Sequence, residues 1–128
     1  MRILLDTHAL LWWMNGDQRL SPRARAAVGA QSAEVFVSAA SAWELAVKVR
    51  LGKLPEASRL TLRLAESLSE QGFKALAITL EHGRLGGSLP GTHRDPFDRM
   101  LAAQALLDDL ILITNDAALS TFGVKTLW

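Results

Sequence analysis

The chain has no cysteine among its 128 residues. That excludes a disulfide framework and any thiolate metal site, and it is compatible with a cytoplasmic, reducing location. Long apolar runs are missing too: nothing approaches the roughly 18 residues of a membrane span. At the N-terminus a single Arg2 precedes Ile3-Leu4-Leu5 and Asp6 ends the run, so the segment reads neither as a signal peptide nor as an anchor. Charge of one sign is not in excess. The net charge is +1, too small to attract nucleic acid in bulk, so such a partner would need a local basic patch. The glycine-rich phosphate loop, the dinucleotide fingerprint and the Gly-x-Ser-x-Gly nucleophile turn are all absent. Nucleoside triphosphate, dinucleotide and serine-hydrolase chemistries lose their usual support. There is no internal repeat and no linker.

What remains is an ordinary globular composition, 49% hydrophobic and 21% charged, read as one domain over residues 1–128 with a real core. Ile3-Leu4-Leu5, Glu34 to Ser38, Ala75 to Ile78, Leu110 to Ile113 and Val124 to Leu127 read as strands. The central ones are continuous apolar runs of the kind buried on both faces of a sheet. Helices are expected over His8 to Met14, from Ser21-Pro22 to Ala30, after Ser41, over Ser58 to Gln71, over Leu80 to Leu85, from Asp95-Pro96 to Leu107, and briefly over Ala117 to Ser120. Gly86 to Gly91 reads as loop. The alternation predicts an α/β fold: a parallel, Rossmann-like sheet with helices on both faces.

Four acids stand out by position. Asp6 ends the first strand, Glu44 opens the helix after the second, Asp98 lies in the first turn of the long helix, and Asp116 follows the last long strand. Each has a plain alternative as a helix cap; Ser41-Ala-Trp-Glu44 even has capping-box spacing. Yet strand-to-helix junctions of a right-handed parallel sheet open onto one edge, so the four are expected to converge there. Carboxylates about 5 Å apart repel by roughly 3 kcal/mol per pair at an effective dielectric of about 20, so the cluster must hold protons or a cation. Oxygen ligands favour Mg²⁺ or Mn²⁺ over Zn²⁺, which points to phosphodiester hydrolysis. Lys48, Arg50, Arg94 and Arg99 are the nearest cations in sequence for a polyanion. His8 and His82 read as helix-surface residues, with His93, one loop from Asp98, the histidine to watch. Trp12, Trp13, Trp43 and Trp128 read as core or dimer surface.

Three blocks then resemble a known family. Leu5-Asp-Thr-His-Ala-Leu-Leu-Trp-Trp13, then Val37-Ser-Ala-Ala-Ser-Ala-Trp-Glu-Leu-Ala-Val-Lys48 with Gly52-Lys-Leu54, then His93-Arg-Asp-Pro-Phe-Asp-Arg99 with Ala102-Ala-Gln-Ala105 resemble the PIN domain, and within it the VapC-type ribonuclease toxins of toxin–antitoxin pairs. The resemblance implies a PIN-like fold and a homodimer. It also implies Mg²⁺- or Mn²⁺-dependent cleavage of RNA, and neutralisation by a VapB-like antitoxin. It carries the catalytic and metal-binding roles to Asp6, Glu44, Asp98 and Asp116, with Glu44 orienting a water and Asp98 preferred to Asp95. Thr7, Ser41 and Thr114 are expected to hydrogen-bond within the cluster. Substrate contacts are expected from Thr7, Lys48, Arg94, Asp95, Arg99 and Thr114. A structure-specific DNA nuclease, a receiver-type signalling domain and a catalytically silent PIN scaffold are the competing readings.

Overall fold

A computed structural model describes all residues, 1–128. Five parallel strands, β1 (Arg2–Leu5), β2 (Glu34–Ser38), β3 (Lys74–Leu76), β4 (Ile111–Ile113) and β5 (Thr126–Leu127), form one sheet in the order β3-β2-β1-β4-β5. The helices are α1 (Thr7–Asn15), α2 (Pro22–Gly29), α3 (Ala39–Arg50), α4 (Ser58–Leu62), α5 (Leu64–Gln71), α6 (Leu80–Ser88) and α7 (Pro96–Leu107). Two 3₁₀ segments, Pro55–Ala57 and Ala117–Phe122, complete the chain. No helix is long and apolar enough to cross a membrane.

Alternation along β1 explains why its apolar run is continuous. Ile3 and Leu5 enter one core cluster, with α1, α2, α3 and α5, while Leu4 enters the other, with α7. β4 divides in the same way, Ile113 to the first and Leu112 to the second. The sheet is thus covered on both faces, as a parallel sheet requires. Register fixes what lies at its carboxyl edge: Leu5 pairs with Val37 on one side and Ile113 on the other. The next residue of each strand, Asp6, Ser38 and Thr114, therefore falls in one row. Helices leave β1 and β4 toward opposite faces, so the crevice between these two strands is a topological switch point, where open α/β sheets bind ligands.

Several elements differ from expectation. α3 starts at Ala39 because Ser38, still extended at φ −76° and ψ 146°, caps it by accepting from the Ala40 N–H. The Ser41–Glu44 capping box therefore does not form, and both residues are buried inside the helix. Gly86 and Gly87 are helical rather than loop: Gly86 lets α6 rest on α7, where a Cβ would stand 3.4 Å from the Arg99 carbonyl oxygen. The expected helix from Ser58 to Gln71 is interrupted at Arg63, whose φ −121° and ψ 31° leave the helical region. β3, β4 and β5 are shorter than read.

His82 is 3% exposed rather than on the surface. Its Nδ1 accepts from the Thr79 N–H, its own N–H donates to Thr79 Oγ1, and Nε2 lies 3.2 Å from Asp108 Oδ2. Among the tryptophans, Trp12 is core, Trp13 and Trp128 pack against it, and Trp43 is 67% exposed.

Leu4 is wholly buried in the central strand. Leu4→Ala is expected to lower unfolding free energy by about 2–5 kcal/mol, read from urea denaturation. A loss below about 1 kcal/mol would show that the second core cluster is not packed as described.

Candidate active site

Three of the helical segments that begin at the sheet's carboxyl edge are capped by an aspartate. Asp6 Oδ1 accepts from the Ala9 N–H at 2.7 Å to cap α1. Asp95 Oδ1 accepts from the N–H groups of Phe97 and Asp98 to cap α7. Asp116 Oδ1 accepts from the Ala118 N–H at 2.9 Å to cap the Ala117–Phe122 segment. For Asp6 and Asp116 the capping reading and the cluster reading are thus true together, whereas Glu44 and Asp98 cap no helix. The same carboxylates that satisfy open helix ends also face one another, and the positive ends of the helix dipoles soften their repulsion.

These residues line a cavity of about 340 Å³ with Thr7, His8, Glu44, Lys48, Asp98 and Asn115, and no hydrophobic side chain among them. Glu44, 5% exposed, arrives from the middle of α3. Thr7 Oγ1 donates to Glu44 Oε1 at 2.6 Å and lies 3.0 Å from Ser41 Oγ. Lys48, one turn on, donates to Glu44 Oε2 at 2.8 Å. A carboxylate has about four acceptor positions, so Glu44 keeps capacity for a water. Asp98, at the third position of α7, is 3.0 Å from His93 Nε2 through Oδ2.

Charge at this edge is costly. Burial pushes the Asp6 carboxyl above the usual carboxylate range, against the opposing Thr114 hydroxyl, Ala9 N–H and His8, while Glu44 adds to the upward push. Burial also raises Asp98; the His93 hydrogen bond opposes, and the charges of Asp95 and Glu44 reinforce the rise. A cation among these oxygens would relieve both. Ligand atoms of His93, Asp98 and Asp116 lie within 4.8 Å of one another, so these residues could hold one cation between them. The donor set is mostly hard oxygen, so the residues present suit Mg²⁺ or Mn²⁺.

All four acids singled out in the sequence reach this cavity, as do Thr7, Lys48 and Asp95. Thr114 stands beside Asp6 and accepts from the Asp116 N–H. Arg94 is exposed and lines a neighbouring groove. Arg99 is a correction. Rather than facing a substrate, its guanidinium donates to the carbonyls of Gly86 at 2.9 Å, His93 at 2.8 Å and Leu89, tying the loop before α7 to the helix. His8, His93 and Asn115 were not assigned to the site from sequence; His8, read as a helix-surface residue, is exposed and also lines the cavity. The signal for His93 was only its position one loop before Asp98, and Asn115 had none beyond adjacency to Asp116.

Comparisons with known proteins agree with this fold. The family described as PIN domain matches residues 3–125. Ribonuclease VapC22 of Mycobacterium tuberculosis (strain ATCC 25618 / H37Rv) is 34% identical over 122 residues, which cover 91% of this chain and 88% of the relative. The crystal structure of VapBC2 from Rickettsia felis bound to a DNA fragment from their promoter matches with a TM-score of 0.72 at 17% identity, over 99% of this chain and 98% of the matched chain. A toxin–antitoxin complex from Klebsiella pneumoniae matches with a TM-score of 0.68 at 19% identity, over 98% of this chain and 96% of its own. At such identities the two structures speak to the fold.

Asparagine caps a helix about as well as aspartate, so Asp6→Asn keeps the α1 cap and removes a buried charge. Folding raises the Asp6 pKa; the carboxyl therefore favours the fold fully only below its unfolded pKa of about 3.9, and that contribution is lost as pH rises through the folded value. Without divalent ions, Asp6→Asn is expected to melt about 3 °C above the unsubstituted protein at pH 7. The difference should vanish near about pH 3. A lower melting temperature at pH 7 would contradict the burial of this charge.

Proposed function

The chain belongs to the PIN-domain family, and from that premise we propose that it is a metal-dependent endoribonuclease toxin that hydrolyses RNA phosphodiester bonds and is neutralised by a VapB-like antitoxin. The observation that carries the reading is the convergence of Asp6, Glu44, Asp98 and Asp116 on one polar cavity. The ribonuclease relative and the toxin–antitoxin complexes among the structural matches support the same class. The cytoplasmic location, the homodimer and the single domain over residues 1–128 are parts of this proposal.

Asp6, Asp98 and Asp116 would hold Mg²⁺ or Mn²⁺, with His93 beside Asp98. When bound, such an ion supplies Lewis-acid stabilisation of charge on the scissile phosphate and makes water a stronger nucleophile. The chain's own residues do the remainder. Glu44, fixed by Thr7 and Lys48, accepts a hydrogen bond from the attacking water and so aims its lone pair at phosphorus. The Lys48 ammonium neutralises Glu44 from the cavity wall. His93 holds the Asp98 carboxylate at Oδ2 and restricts its rotation. Thr114 and the Ala9 N–H do the same for Asp6.

Purified, antitoxin-free protein is expected to cut a mixed transfer and ribosomal RNA pool into discrete fragments with Mg²⁺ or Mn²⁺. EDTA and Asp98→Asn should each abolish the fragments, and Glu44→Gln should slow cleavage by about 100-fold. Correctly folded protein that leaves the pool intact with either ion, or cleaves equally in EDTA, would overturn the reading.

A further inference from the structure

The catalytic cavity is poorly made to hold a polyanion. Its wall carries Asp6, Glu44, Asp95, Asp98 and Asp116, and its one lysine is already paired with Glu44. An RNA strand must find its positive contacts beside the cavity rather than inside it. A groove of about 680 Å³ opens next to it, lined by Gly91, Thr92, His93 and Arg94 on one side and Ala118, Thr121 and Phe122 on the other. The two spaces meet at His93, whose Nε2 lies 3.0 Å from Asp98 Oδ2.

We propose that this groove is the binding site for the nucleotide next to the cleaved bond, with Arg94 on its phosphate and Phe122 against its base. The inference rests on the ribonuclease reading above and goes beyond it to Arg94 and Phe122, which carry no part of the hydrolysis. Arg94 is exposed and makes no side-chain hydrogen bond or ion pair, so its planar fork of donors is free for phosphate oxygens. Arg99 cannot share that task, because carbonyl oxygens hold its guanidinium. Phe122 is held on several sides. The Arg99 guanidinium stands 5.5 Å from its ring centre, the His93 ring meets it nearly edge-on at 5.8 Å, and it packs against the second core cluster beside Gly91. Gly91 itself has φ +119°, a conformation that side-chain-bearing residues rarely adopt. A ring fixed in this way loses little freedom when a base stacks on it, and stacking tolerates any base. Thr92 adds a hydroxyl to the same wall.

The test is fluorescence anisotropy of a labelled, mixed-sequence oligoribonucleotide of about 12 nucleotides, with EDTA present so that nothing is cleaved. Arg94→Gln is expected to weaken binding about tenfold and to lower the slope of log Kd against log salt by about 0.7, the signature of one lost phosphate contact on a single strand. Arg94→Lys should restore most of both. Phe122→Leu should weaken binding about tenfold while leaving the salt slope unchanged. Melting temperatures check that each variant is folded, and Arg94, being exposed, serves if Phe122→Leu is not. Binding by folded Arg94→Gln with the affinity and salt slope of the unsubstituted protein would overturn the proposal. Because the assay reads binding alone, absence of RNA cleavage would count against the ribonuclease reading and leave this result standing.

Discussion

Repulsion among carboxylates gathered at the carboxyl edge of the sheet is the constraint on which this structure turns. Asp6 is 9% exposed and Glu44 5% exposed, yet each keeps company with other acids. The fold reduces the penalty in three ways. Helix N-termini point their N–H groups at Asp6, Asp95 and Asp116. Lys48 and Thr7 hold Glu44, and His93 holds Asp98. Even so, Asp6 and Asp98 stay above the ordinary carboxylate range. A site that resists its own charge to this extent is built to receive charge of the opposite sign.

The topology explains how so short a chain assembles it. With β1 between β2 and β4, the strands after which Asp6, α3 and Asp116 emerge are neighbours in space. Asp98 comes from the opposite layer on α7, which packs against α6 and contacts α3. The acids therefore arrive from both layers and meet over the switch point. Arg99 contributes from behind: by gathering the carbonyls of the loop before α7 it sets His93 against Asp98 and covers Phe122.

Most of the architecture was legible because its signals are local. Ser21-Pro22 and Asp95-Pro96 start helices where they read as starts, and the aspartate and serine caps bond as their types predict. The five strands follow from apolar runs, and their common edge follows from parallel topology. What was not legible depends on partners distant in sequence. Nothing local distinguishes Ser38 from Ser41 as a cap; where β2 ends decides it, and Glu44 moves from helix start to helix interior. The helical course of Gly86 requires the backbone of α7 against it. The burial of His82 requires Asp108, and the occupation of Arg99 requires the shape of a loop that no spacing rule describes. Asp6 and Asp116 were readable because each lies at a strand-to-helix junction whose direction the fold class fixes, and Glu44 and Asp98 still reach the same edge from inside α3 and α7.

The central claim is that these carboxylates act as one cation-demanding cluster, and calorimetric titration of Mn²⁺ into the purified protein at neutral pH tests it most directly. The account predicts saturable binding that both Asp6→Asn and Asp98→Asn greatly weaken, although the two residues come from opposite layers of the fold. Folded protein that shows no saturable binding, or that binds equally well after either substitution, would contradict it.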